Sequence, residues 1–106
     1  MGMFDYYRPT GQRRCPVCRR SLLEWQGKDG PNGLLIWAEG NAAPVDQDVD
    51  EDLKVPIGER QAIRLPRKFE IYSFDCPEHQ PIDADCECDD SGVWTRTVLR
   101  DFRPDK

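Results

Sequence analysis

The sequence predicts a mainly β protein: a small antiparallel sheet built on a matched pair of cysteine-containing turns, with an acidic loop that has room for a short helical turn. Three observations carry this. Segments rich in aromatic and β-branched residues recur between Gly- and Pro-rich turns. Ile82, Ala84, Cys86 and Cys88 alternate with Asp83, Asp85 and Glu87, the period of a strand with one dry face. Two short turns, Cys15-Pro16-Val17-Cys18 and Cys76-Pro77-Glu78-His79, repeat one pattern at opposite ends of the chain.

Taken in order, Ser21–Trp25 and Leu34–Trp37 flank the turn-forming run Lys28-Asp29-Gly30-Pro31-Asn32-Gly33, which predicts a β-hairpin with a long loop. Residues 39–56 hold Gly40, Pro44 and Pro56 and little hydrophobic periodicity, so they are expected to form an acidic loop insertion. Phe69–Phe74 predicts a central strand that runs into the second turn. Asp89-Asp90-Ser91-Gly92 supplies a turn before a last strand over Val93–Leu99. With 106 residues there is room for one modest core, and the expectation is a single domain over 1–106.

The two turns carry the chemistry. A two-residue spacer lets one tight turn present two ligands to the same ion, and Zn²⁺ prefers four tetrahedral thiolate or imidazole ligands. Proline after the first cysteine fixes φ there and leaves later amides free to donate toward the sulfur. The pair therefore predicts a zinc-ribbon-like domain with Cys15, Cys18, Cys76 and His79 as ligands. Cys86 or Cys88 is the alternative fourth ligand, although alternation places both among apolar neighbours. A site closed by four protein ligands is structural, with no open position for substrate. Four thiolates would also suit an iron–sulfur cluster, the minority option.

Five cysteines are an odd number, which disfavours a disulfide framework. No apolar run approaches the ~18 residues that cross a bilayer. The start lacks the charged and apolar blocks of a signal peptide, so a cytoplasmic location is expected. No phosphate loop, dinucleotide fingerprint or nucleophile triad occurs, and the single histidine is assigned to metal, so an enzyme is not expected.

Charge falls into blocks. A row of like charges on one strand face is costly without a cation, so Asp83, Asp85, Glu87 and Asp89 predict a basic protein partner. Asp48, Asp50 and Asp52 extend the acidic surface in the loop. The spacing Asp46-x-Asp48-x-Asp50 falls short of a calcium loop, because Glu51 stands where Gly is needed and Ile57 where a bidentate Glu is needed. Arg13, Arg14, Arg19 and Arg20 surround the first turn, and with Tyr6 and Tyr7 they form a candidate nucleic-acid contact. The formal net charge of -5 favours the reading in which these arginines cover apolar stems and pair with the acidic blocks.

Gly2-Met3-Phe4-Asp5-Tyr6, the Cys15–Cys18 turn and Trp25-Gln26-Gly27-Lys28-Asp29 together resemble small bacterial zinc-ribbon proteins over the N-terminal third, with looser similarity at Tyr72–Cys76. The chain departs from their pattern at His79, where a cysteine is expected. The resemblance implies an accessory or immunity factor, and with the acidic surfaces it gives the leading expectation: a non-enzymatic module that blocks a cognate basic toxin. The alternative is a nucleic-acid-binding zinc ribbon that uses the arginine-rich first turn.

Overall fold

The computed structural model describes residues 4–100, so Gly2 and Met3 of the opening motif lie outside the described residues. The expected β-rich C-terminal half is present. Strand β5 (Lys68–Ser73) pairs antiparallel with β6 (Ile82–Cys88), and β6 with β7 (Trp94–Leu99). Alternation does what the pattern requires: Ile82, Ala84, Cys86 and Cys88 are buried, while Asp83, Asp85 and Glu87 face outward.

The N-terminal half differs from expectation. Instead of a hairpin, β2 (Trp25–Gly27) and β3 (Leu35–Ala38) are separated by β1 (Asp5–Arg8), which pairs antiparallel with β2 and parallel with β3. The sheet is thus mixed rather than purely antiparallel. Its order is β4-β3-β1-β2-β5-β6-β7, where β4 is the two-residue strand Asp46–Gln47.

Asp5 is the physical reason for the inserted strand. Its side chain is fully buried, and its carboxylate accepts from the amides of Asn32 (3.2 Å), Gly33 (2.9 Å) and Leu35 (3.0 Å) and from the Trp37 indole (3.0 Å). Donors that would be orphaned between β2 and β3 are satisfied by one residue of the strand between them. Gly30 makes room for it, because a Cβ there would stand 2.5 Å from Asp5 Oδ2.

The expected acidic excursion is also more tied down than its composition suggests. Gln47 is buried, donates to the Gly33 carbonyl (2.9 Å) and accepts from the Val55 amide (2.8 Å). The short helical turn follows as a 3₁₀ turn at Glu51–Leu53, and a second one, α1, spans Ile57–Arg60.

The sheet curls until the chain after β3 meets β7. Gly40 N donates to Trp94 O (2.7 Å), Trp94 N to Asn41 O (3.2 Å), and the Thr97 hydroxyl to Glu39 (2.8 Å). Inside lie Tyr7, Phe69 and Trp94 with ring centroids 5.4 to 6.0 Å apart. Such pairs add about 0.5–1.5 kcal/mol each beyond their area burial. All three tryptophan indoles are bonded: Trp25 to Leu22 O, Trp37 to Asp5, and Trp94 to Thr97 Oγ1 and Arg96 O.

Asp5→Ala is expected to lower the unfolding free energy in urea by at least about 3 kcal/mol, since each buried donor left unpaired costs about 1–3 kcal/mol. Asp5→Asn should lose less, because one acceptor oxygen remains. An unchanged midpoint for the alanine variant would remove Asp5 from this role.

Candidate metal centre

Each half of the site is a turn held by its own backbone. Around the first, Arg14 bridges Ser21, Cys15 N donates to Arg20 O (2.8 Å), and Leu22 N donates to Arg13 O (2.8 Å). Arg19 closes the turn with its amide on Cys15 O (3.0 Å), at φ 68°, a left-handed conformation in which a side chain costs about 1–2 kcal/mol. The second turn leaves β5, and His79 N donates to Cys76 O (3.3 Å).

Asp75, immediately before Cys76, joins the halves. Its Oδ2 accepts from the amides of Leu23 (2.6 Å) and Glu24 (2.8 Å), the residues leaving the first turn. In the sequence Asp75 is one carboxylate among many. Only its position beside Cys76 could have suggested a bracing role.

Cys15, Cys18, Cys76 and His79 converge, with one ligand atom from each lying within 4.8 Å of all the others. Cys18 Sγ is 3.4 Å from Cys76 Sγ, and His79 Nδ1 is 3.3 Å from Cys76 Sγ and 3.6 Å from Cys15 Sγ. Four atoms about 2.0–2.3 Å from one tetrahedral ion would be separated by roughly 3.5 Å, so the spacing fits a shared metal. Cys15 and Cys76 are buried, His79 is half-buried and Cys18 is exposed. Burial opposes ionisation of Cys15, yet the Cys18 and Val17 amides directed at its sulfur hold its thiol below the ordinary value. At Cys18 an amide from Arg20 favours the thiolate, but crowding by the Cys76 and Cys15 sulfurs prevails and raises it. A cation at the centre would relieve that crowding.

Cys86 and Cys88, the alternative fourth ligands, are not part of this group. They sit on the buried face of β6, where burial pushes the Cys86 thiol up to about 12 and raises that of Cys88. Such thiols are inert core residues.

The acidic ridge is present on β6 but does not stand unneutralised. Arg100 reaches Asp83 (3.6 Å), Asp85 and Glu70 (2.8 Å), and Arg96 reaches Glu87 (3.5 Å). The Arg100 hydrogen bond holds the Asp85 carboxyl below its usual range. Asp89 lies beyond β6, where it accepts from the amides of Ser91 (2.9 Å) and Val93 (3.0 Å) in the turn. The chain thus supplies the cation that the like-charge argument assigned to a partner. Asp48, Asp50 and Asp52 of the loop are exposed and join no ion pair among the described residues.

The expected pairing of the first-turn arginines with acidic blocks is confined to Arg13, 3.9 Å from Glu39. Arg14, Arg19 and Arg20 are exposed and form no ion pair among the described residues, nor does Arg8. Among the described residues no helix is long and apolar enough to cross a membrane. No protein-family model matches the chain, and no match is found among the curated proteins or the solved structures.

Two outcomes are expected from substitution. Cys76→Ser should abolish stoichiometric metal binding after gel filtration while Cys88→Ala retains it, and the reverse order would displace the site. Arg19→Gly should raise the unfolding free energy by about 1 kcal/mol through relief of the left-handed conformation. A loss of stability would contradict that assignment.

Proposed function

We propose that the chain is a non-enzymatic interaction protein whose two turns are locked by a structural zinc ion and whose acidic surface binds a basic protein partner. The ligand set Cys15, Cys18, Cys76 and His79 is the observation that carries this reading. Three thiolates and an imidazole suit Zn²⁺, and four protein ligands fill its tetrahedral shell. Zinc there contributes folding energy rather than chemistry on a substrate. The net charge of -5 and the loop carboxylates Asp48, Asp50 and Asp52, which join no ion pair among the described residues, support a basic partner. The resemblance to immunity-like zinc ribbons makes a cognate toxin, blocked by this acidic surface, the partner we propose.

A second reading has its own support. Arg8, Arg14, Arg19 and Arg20 gather exposed positive charge around the first turn, and Arg19 occupies a backbone position that glycine would fill without strain. A nucleic-acid-binding ribbon would use such a cluster on phosphate.

Metal analysis should find one zinc per chain in a colourless protein, and strong chelation should sharply lower its melting temperature. A brown protein absorbing near ~400 nm would point to an iron–sulfur cluster instead. For the partner, a basic protein cross-linked in the host and then purified should bind the chain in a 1:1 complex weakened by salt. Tight binding of a single-stranded oligonucleotide, lost on Arg14→Ala and Arg20→Ala, would favour the second reading, with affinity falling steeply as salt rises.

A further inference from the structure

The outward side of the N-terminal half of the sheet carries a band of aromatic and aliphatic side chains among its polar ones. Register aligns Ile36, Tyr6, Gln26 and Tyr72 across β3, β1, β2 and β5. Phe4 packs edge-on against Tyr6 at 5.1 Å, and Phe74, 46% exposed, packs edge-on against Tyr72 at 5.5 Å. Leu23 is 81% exposed beside them. Contiguous exposed apolar surface of this kind marks interaction sites.

Within this face lies a groove of about 440 Å³, lined by Tyr6, Leu23, Ile36, Glu24, Asp48 and Arg8. Partial burial, followed by the carboxylates of Asp48 and Glu24, raises the Tyr6 phenol above its ordinary value, so both acids act on that ring. Neither acid joins an ion pair among the described residues, and two carboxylates against one guanidinium leave the groove net negative. A second hollow of about 420 Å³ between β5 and β6 is lined by Glu70, Asp85 and Glu87, but those charges are already matched by Arg100 and Arg96.

We propose that the groove over β3, β1 and β2 docks a basic segment of the partner protein, with apolar side chains on Ile36 and Leu23 and a cationic side chain against Tyr6 between Glu24 and Asp48. This rests on the reading of the chain as a binder of a basic protein. An aromatic face flanked by carboxylates binds a cation by ring quadrupole and by charge, while the same carboxylates repel an acidic segment or a phosphate backbone. The groove therefore discriminates by charge, and the apolar walls supply burial that charge alone does not.

The probe is a short peptide in which lysine and arginine alternate with leucine, titrated into the full-length zinc-loaded protein and followed by amide NMR shifts. The control peptide carries glutamate in place of each cation. Saturable shifts centred on Tyr6, Glu24, Ile36 and Asp48 are expected, with binding at least tenfold weaker for the Glu24→Gln, Asp48→Asn double variant and absent for the control. Both substitutions are on exposed side chains, and retention of zinc and of the far-UV spectrum confirms folding. Shifts centred on Asp83, Asp85 and Glu87 would overturn the groove while leaving the basic-partner reading standing. No binding at millimolar peptide would overturn both. Equal binding of the acidic control, or of a single-stranded oligonucleotide in the groove, would overturn the charge discrimination and with it the proposal.

Discussion

One buried carboxylate sets the topology. Asp5 gathers the amides of Asn32, Gly33 and Leu35 and the Trp37 indole, so the chain between β2 and β3 cannot close directly into a hairpin without losing its acceptor. Strand β1 must occupy the gap. Once it does, Tyr7 projects into the core beside Phe69 and Trp94, and Tyr6 on the opposite face becomes part of the outer apolar band. The core and the candidate docking surface are consequences of the same strand placement.

The second organising constraint is the meeting of turns far apart in sequence. Cys15 and His79 are 64 positions apart and Cys18 and Cys76 are 58 apart, yet their ligand atoms come within 3.6 and 3.4 Å. Closing so long a loop is costly in chain entropy. The pairing of β2 with β5 through Gln26 and Tyr72 offsets part of that cost, since it places the chain entering the second turn beside the chain leaving the first. An ion held there would add directional bonds to a convergence already favoured by the sheet.

What could be read from sequence follows from the range over which each signal acts. The convergence of Cys15, Cys18, Cys76 and His79 was legible because a two-residue spacer is local and the pattern repeats. Strands β5, β6 and β7 were legible because alternation and β-branched composition are properties of a few consecutive residues. Strand β1 was not, since nothing local distinguishes an Asp that will be buried under four donors from one in solvent. The acidic ridge was recognised as a like-charge row, but its neutralisation by Arg100 depends on register between strands. Asp89 belongs to that row in the sequence but accepts from turn amides, as Asp75 accepts from the amides of Leu23 and Glu24. Composition counts carboxylates without saying which are already engaged.

Asp75 also makes two distant parts of the molecule mechanically continuous. Its carboxylate grips the amides of Leu23 and Glu24, and those same two residues project their side chains along the outer groove. The segment that leaves the first turn is thus anchored at one end by Cys18 and in the middle by Asp75, and it spends its side chains on the apolar, acidic face. A continuous path of contacts runs from the Cys18 and Cys76 sulfurs through Asp75 to the surface, so the position of Glu24 is tied to the candidate metal centre as well as to the groove.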